Sequence, residues 1–147
     1  MTGLTTSLRL LTSTLAMSLA MVPARAQEPA PAPALTLELN GAQPSEKGCR
    51  LTFVVNNNLG ADLSKAAFEI ALFNEAGVVD RLTVLDFKDL LVGKTKVTRF
   101  DLAGTDCAKV SRVLINSATE CAGTGFEPNA CMRKLKTDTR TGIAFGV

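Results

Sequence analysis

The sequence predicts an all-β protein, a sandwich of about seven antiparallel strands. From Leu35 onward, apolar and polar residues alternate with a period of two, which is typical of strands with one buried face. Short segments rich in Gly, Asn and Pro separate the alternating runs, as turns between strands do. No fixed longer period is present, which argues against a repeat architecture.

The expected strands follow from this alternation. They span residues 35–40, 49–57, 66–74, 78–87, 96–102, 110–118 and 135–145. Residues 64–73 also fit a short helix, but Glu75-Ala76-Gly77 reads as a hairpin turn between two β-type runs, so a strand is favoured. Apolar positions within these runs form the expected core, including Leu35, Leu37, Leu39, Leu51, Phe53, Val55, Phe68, Ile70 and Leu72. Val113 and Ile115 are expected to face away from Leu114.

The N-terminal residues 1–26 have the pattern of a secretory signal peptide. Arg9 precedes an apolar run from Leu10 to Val22, and the triplet Ala24-Arg25-Ala26 forms an A-x-A cleavage site. A membrane anchor is the alternative, but the run is shorter than the roughly 20 residues that a spanning helix needs. We therefore expect cleavage after Ala26 and a periplasmic protein without stable membrane insertion.

The expected mature chain has two parts. Residues 27–34, QEPAPAPA, are predicted to form an extended Pro/Ala linker, and residues 35–147 the β-sandwich domain. The signal removes Arg9 and Arg25 from the 16 basic residues, so 14 basic and 14 acidic residues remain. With no net charge and no long basic cluster, the chain is not expected to bind nucleic acid.

A family resemblance adds a more specific fold. The run VVNNNLGADLSKAAFEIALFNEAGVVD, followed by LLVGKT, resembles the small immunoglobulin-like domains of bacterial envelope proteins of the FxLYD type. The four-cysteine chain is also similar to a family of small exported alphaproteobacterial proteins of unassigned activity. The resemblance covers about residues 50–102 and implies an immunoglobulin-like sandwich in an envelope compartment. It supplies no catalytic residue.

The cysteines are expected to form structural disulfides. An even number of cysteines in an exported chain is typical of an oxidising compartment. Zinc and redox motifs are disfavoured because there is no histidine and no C-x-x-C pair. In an immunoglobulin-like strand order, Cys49 begins the second strand and Cys107 precedes the sixth at the same end of the sandwich. This order predicts Cys49 paired with Cys107, and Cys121 paired with Cys131 at the opposite end.

Catalytic chemistry has little support in the sequence. Without histidine there is no Ser-His or Cys-His pair, and no phosphate-binding loop is present. Two carboxylate pairs remain, Asp86 with Asp89 and Glu120 with Glu127, and each is expected to be a solvated edge or loop group. Asp101, Asp106 and Glu120 lack the spacing of a calcium loop. We expect no enzyme activity, no cofactor and no metal.

Two loops are candidate partner-binding surfaces. The segment AGTGFEPNA, residues 122–130, offers Phe126, Glu127 and Asn129 inside the expected Cys121–Cys131 bridge. Phe126 is either an anchor for a partner or a plug over the end of the core. The corner Asn56–Gly60 with Lys88–Lys94 is the second candidate, although Asn and Gly there favour a turn role.

These observations predict a non-enzymatic periplasmic accessory or adaptor protein of a cell-envelope complex, for example of energised outer-membrane transport. The expected partner is another periplasmic or envelope protein. A periplasmic module that binds a small ligand or a metal is the alternative function.

Overall fold

The computed structural model describes residues 30–147. The predicted signal peptide and residues 27–29 of the predicted linker lie outside this range. Residues 30–33 are exposed and belong to no strand, and the first strand begins at Ala34, the last residue assigned to the linker from sequence.

The described chain forms eight strands and two short helical turns. The strands are β1 (Ala34–Ser45), β2 (Gly48–Asn58), β3 (Leu63–Asn74), β4 (Val79–Leu90), β5 (Thr95–Ala103), β6 (Val110–Ala122), β7 (Leu135–Thr139) and β8 (Ala144–Gly146). A 3-10 turn at Cys107–Lys109 precedes β6, and the one-turn helix α1 (Ala130–Arg133) precedes β7.

The strands form two packed four-stranded sheets, which confirms the all-β sandwich. The first sheet has the order β5-β2-β1-β7 and the second the order β4-β3-β6-β8. Neighbouring strands are antiparallel except at one side of each sheet, where β7 runs parallel to β1 and β8 runs parallel to β6. The sandwich thus has eight strands where the sequence predicts about seven.

The extra strand arises because the predicted last strand, residues 135–145, is divided. β7 pairs with β1 in the first sheet, and β8 pairs with β6 in the second. Between them, the Thr139 hydroxyl accepts a hydrogen bond from Thr141 N, and the Thr141 hydroxyl accepts one from Ile143 N. These local bonds form a tight turn in which the chain passes from the first sheet to the second. The polar-apolar alternation of the sequence continues through this turn and does not reveal it.

β1 is longer than predicted because Gly41 and Pro44, which read as turn residues, lie within it. Pairing with β2 continues to Ser45, with a bulge between Leu39 and Gly41. β7 pairs only with residues Leu35–Leu39 of β1. Pro44 therefore lies at an open edge, where its missing N–H removes no sheet hydrogen bond.

The core contains the apolar residues that the period of two predicts. Leu35, Leu37, Leu39, Leu51, Phe53, Val55, Phe68, Ile70 and Leu72 are all buried. The ring of Phe53 packs edge-on against Phe87 with centroids 5.5 Å apart, and Phe87 packs in the same manner against Phe100 at 5.0 Å. Val113 and Ile115 are buried while Leu114 is half-buried on the opposite side, as expected.

Candidate partner-binding surfaces

The Cys49–Cys107 disulfide joins the two sheets at one end of the sandwich. The bond has the predicted pairing and links residues 58 positions apart. Cys49 is the second residue of β2 in the first sheet and is fully buried, and Cys107 lies in the turn that precedes β6 in the second sheet. This disulfide belongs to the core and presents no reactive thiol.

The Cys121–Cys131 disulfide closes a surface loop at the opposite end, also with the predicted pairing. Cys121 lies near the end of β6, and Cys131 lies in α1. The backbone N–H of Cys131 donates to Cys121 Sγ over 3.2 Å. The loop of residues 122–130 therefore has both of its ends fixed, by a strand and by a covalent bond. Two disulfides are typical of a chain that folds in an oxidising, exported compartment.

Phe126 lies across the base of this loop. Its side chain is half-buried and packs against the hydrophobic core. Gly123 makes this possible: a Cβ at position 123 would lie 2.7 Å from Phe126 Cδ2 and 2.5 Å from the Asp62 carbonyl oxygen. The ring covers the end of the core as a plug, and one part of it stays open to solvent.

A depression of about 310 Å³ adjoins the exposed part of Phe126. Leu59, Phe126 and Ala130 provide apolar surface, and Glu127, Arg133 and Lys134 provide charged groups. The Arg133 guanidinium forms an ion pair with the Glu127 carboxylate. This arrangement places charged, largely exposed groups at the rim around a small apolar floor.

The three residues predicted as the partner-binding set lie together on this loop, but they differ in setting. Glu127 contributes to the depression, whereas Asn129 is exposed next to it and precedes α1 without a side-chain capping bond. Sequence reasoning did not single out Leu59, Arg133 and Lys134 for this surface. The short basic run Arg133-Lys134-Leu135-Lys136 is visible in the sequence, but it does not indicate that the loop of residues 122–130 folds against it.

The turn role that the composition of Asn56–Gly60 favours is confirmed only for Leu59 and Gly60, because Asn56–Asn58 are the last residues of β2 and pair with β1. Asn57 is buried, and its amide Nδ2 donates to the carbonyls of Ala61 at 2.9 Å and Leu90 at 2.8 Å. Its Oδ1 accepts from Leu59 N at 3.0 Å. Gly60 and Gly93 both adopt positive φ, at 101° and 72°, a region that favours glycine. Asn57 thus fixes the floor of the depression by holding Leu59.

The carboxylates singled out from the sequence do not form a site together. Asp86 pairs with Lys88, Asp89 with Lys96, Asp101 with Arg50, Glu120 with Lys65 and Glu127 with Arg133. Hydrogen bonds from Lys88 lower the pKa of Asp86, and those from Arg50 lower the pKa of Asp101. Asp106 caps the 3-10 turn by accepting from Ala108 N. Across residues 30–147, no three Cys, Asp or Glu side chains come together as metal ligands.

A second exposed apolar surface lies on β4, which is an edge strand of the second sheet. Val79, Leu82 and Val84 are 49, 56 and 50 % exposed. Leu82 pairs with Ala71 of β3, and Val79 pairs with Phe73, whose ring is covered by the Arg112 guanidinium at 5.4 Å. The sequence carried a signal of this surface, because β4 has apolar residues at both even and odd positions. Leu85 and Phe87 face the core, and Leu82 and Val84 face outward.

No helix within residues 30–147 has the length and apolar character that crossing a membrane requires. Comparison with protein-family models, curated proteins and solved structures gives no match for this chain.

Proposed function

We propose that this protein is an exported, non-enzymatic adaptor that binds a periplasmic or envelope protein at its Cys121–Cys131 end. The observation that carries the proposal is the depression beside Phe126, which combines apolar and charged lining residues on a loop whose two ends are joined by a disulfide. A site that is already ordered loses little conformational entropy on binding, and this favours affinity from a small contact area. The charged rim gives the contact its orientation.

Several features support a binding role over catalysis. The chain has no histidine, and the acids that the sequence offered as catalytic pairs each contact a lysine or an arginine. Of these acids, Asp86 has its pKa lowered by the hydrogen bonds from Lys88, which makes it a poor general acid. The signal-like pattern of residues 1–26 supports a periplasmic location, and a complex that serves outer-membrane transport is the class of partner we propose.

Site-specific crosslinking tests this proposal in the cells that make the protein. Lys134, on the rim, is replaced by a photo-crosslinking amino acid, and Arg99, exposed on β5 of the first sheet, is replaced in a second strain as the control. We expect one envelope protein crosslinked at position 134 and absent at position 99. Mass spectrometry of the exported chain should also find Gln27 as its first residue.

A charge-swapped variant gives the test its specificity. E127K combined with R133E keeps an ion pair at the rim but reverses its polarity, so the fold is preserved while recognition changes. We expect the crosslinked product at position 134 to fall at least about tenfold, the equivalent of roughly 1.4 kcal/mol. Equal crosslinking at both positions, or no effect of the swap, contradicts the proposal.

The alternative of a small-ligand module is supported by a different feature, a cleft of about 280 Å³ at the Cys49–Cys107 end. Asp80, Asp106 and Lys109 line it together with Leu72 and Phe73. Such a mixture of charges would suit a small zwitterion. A thermal-shift screen with amino acids and divalent cations tests it: a ligand that raises the melting temperature of the wild type and not of D80N would favour this function.

A further inference from the structure

One threonine hydroxyl at the Cys49–Cys107 end is buried without a hydrogen-bond partner. Thr105 is 7 % exposed, and no group within residues 30–147 bonds to its Oγ1. Such a hydroxyl lowers stability, because it has lost its hydrogen bonds to water and gained none in the protein. Buried polar groups nearly always have a partner, so this one indicates a group that the chain itself does not supply.

The loop that carries Thr105 is fixed on both sides of this residue. The Arg81 guanidinium donates to the Ala103 carbonyl at 2.8 Å, and the Thr105 backbone N–H donates to the Leu102 carbonyl at 3.2 Å. Two residues further on, Cys107 is held by its disulfide. The position of Thr105 is therefore set by the fold, and its hydroxyl is not left unpaired by a loose loop.

Thr105 belongs to the lining of the cleft of about 280 Å³ at this end of the sandwich. The two buried residues of the lining, Leu72 at 1 % exposure and Thr105, form its deep side. Asp80, Asp106 and Lys109 are exposed and form its mouth. Ligand pockets usually begin at about 300 Å³, so this cleft suits a small molecule.

The three charges at the mouth are not neutralised by ion pairs. Among residues 30–147, neither acid contacts a basic side chain and Lys109 contacts no acid. Asp106 uses Oδ1 to accept from Ala108 N and has Oδ2 for a ligand. Carboxylates attract an ammonium group and a lysine attracts a carboxylate. A metal is disfavoured, because the described chain brings no three Cys, Asp or Glu side chains together as ligands.

We propose that this cleft binds a free α-amino acid whose side chain carries a hydroxyl or an amide, as in threonine or asparagine. The ammonium and carboxylate groups of the ligand meet Asp80, Asp106 and Lys109 at the mouth. Its side chain enters the cleft, packs on Leu72 and gives the Thr105 hydroxyl its missing hydrogen bond. This assignment rests on the small-ligand alternative, which it deepens, and is independent of the adaptor surface at the opposite end.

Thr105 is then the residue that determines specificity. A site built to hydrogen-bond a polar group rejects an analogue that lacks this group, because the buried hydroxyl stays unpaired. Threonine and valine have nearly the same shape and differ in one hydroxyl, and asparagine and leucine differ in the same manner by an amide. The cleft should therefore prefer the polar member of each pair.

NMR titration of the exported, disulfide-bonded chain measures this preference. We expect L-threonine or L-asparagine to shift the amide signals of residues 104–110 to saturation, and its apolar counterpart to bind at least about tenfold more weakly. T105V replaces the hydroxyl by a methyl group of similar size, so it should reverse the preference. T105S keeps the hydroxyl and should keep the preference.

T98V is the matched control, because Thr98 Oγ1 is also buried without a partner within residues 30–147 but does not line the cleft. It should leave the dissociation constants unchanged. Without ligand, T105V should be at least as stable to heat as the wild type, since it removes an unpaired buried group.

The outcomes separate this assignment from the function on which it rests. Binding without a side-chain preference, or a preference that T105V does not change, overturns the role of Thr105 and leaves the small-ligand alternative intact. The absence of any shift with all four amino acids also overturns the assignment, and the thermal-shift screen then decides whether another ligand occupies the cleft.

Discussion

The two ends of the sandwich are both closed by a disulfide, but the two bonds have different consequences. Cys49–Cys107 spans 58 positions, has a fully buried partner in Cys49 and connects the two sheets. Cys121–Cys131 spans 10 positions and encloses a surface loop with an exposed rim. The first bond restricts the whole chain, whereas the second restricts one segment.

This difference separates the contacts that hold the fold together from those that shape one surface. Buried phenylalanines and leucines and the long-range disulfide hold the sheets together. At the other end, a short disulfide, the buried amide of Asn57 and the contact of Phe126 with Gly123 hold a surface shape. The comparison predicts that changes at the first end unfold the protein and that changes at the second end remodel one surface.

Removal of the disulfides has the largest expected effect. In the loop-entropy account, C49A/C107A should lower the free energy of unfolding by about 4 kcal/mol and C121A/C131A by about 3 kcal/mol. Urea unfolding measures both values, and hydrogen exchange localises them. The most slowly exchanging core amides should lose protection in both variants, by the change in the free energy of unfolding, and residues 122–134 should lose protection beyond that in the second variant alone. An extra loss at residues 122–134 in both variants, or in neither, would break the comparison.

Asn57 is expected to have the next largest effect. N57A removes the bonds to Ala61 O, Leu90 O and Leu59 N inside the protein, and unpaired buried groups of this kind cost about 1–3 kcal/mol in total. N58A is the matched control, because Asn58 is exposed, and it should change stability by less than about 0.5 kcal/mol. Thermal and urea unfolding compare the two; similar losses would refute the role of Asn57.

Gly123→Ala should act mainly on the loop. A Cβ there lies 2.7 Å from Phe126 Cδ2 and 2.5 Å from Asp62 O, so the ring or the backbone must move, at a cost of about 1–2 kcal/mol. Gly142→Ala is the control, since nothing lies within 4 Å of its Cβ position. NMR spectra of the aromatic protons should show Phe126 displaced in G123A alone. An unchanged Phe126 signal in G123A would show that the ring does not rest on Gly123.

The smallest effect concerns the ion pair of Arg50 with Asp101 near the first end. Two hydrogen bonds from the Arg50 guanidinium, at 2.9 and 3.0 Å, hold the pKa of Asp101 below its ordinary value. Because the folded pKa is depressed, the stabilisation is present above the unfolded pKa of about 4 and is lost as pH falls through the folded pKa.

R50Q should therefore raise the pKa of Asp101 in an NMR titration and leave that of Asp86 lowered by Lys88. The stability difference from the wild type should be small, since both side chains are partly exposed, and should vanish in acid. A pKa of Asp101 that does not move in R50Q would contradict this assignment.

The sequence predicted the parts of this structure that depend on local alternation and on compartment. Leu51, Phe53 and Val55 follow a period of two that is visible in their own segment. The pairing of Cys49 with Cys107 follows because strands β2 and β6 start at the same end of the sandwich. Gly41 and Pro44 were misread as turn residues. A strand accepts a proline where its outer edge is unpaired, and this condition depends on β7, which pairs with only part of β1. The division of the last strand was missed because the side-chain period is the same in both sheets.

The surfaces were harder to predict for a related reason. Phe126 was identified, but its neighbours Leu59 and Arg133 come from other segments, which only the tertiary fold brings together. From the sequence, Leu82 and Val84 resemble core residues, because an apolar side chain can lie on either face of an edge strand.

The central claim is that the short disulfide shapes a binding surface while the long one holds the fold. Crosslinking at position 134 in the C121A/C131A variant, with hydrogen exchange on the same protein, tests this claim most directly. We predict that the crosslinked envelope protein is lost at least about tenfold, because the loop must then be ordered on binding, while the core strands stay folded and exchange far more slowly than residues 122–130. Unchanged crosslinking with the loop open, as shown by exchange at residues 122–130, would contradict the account.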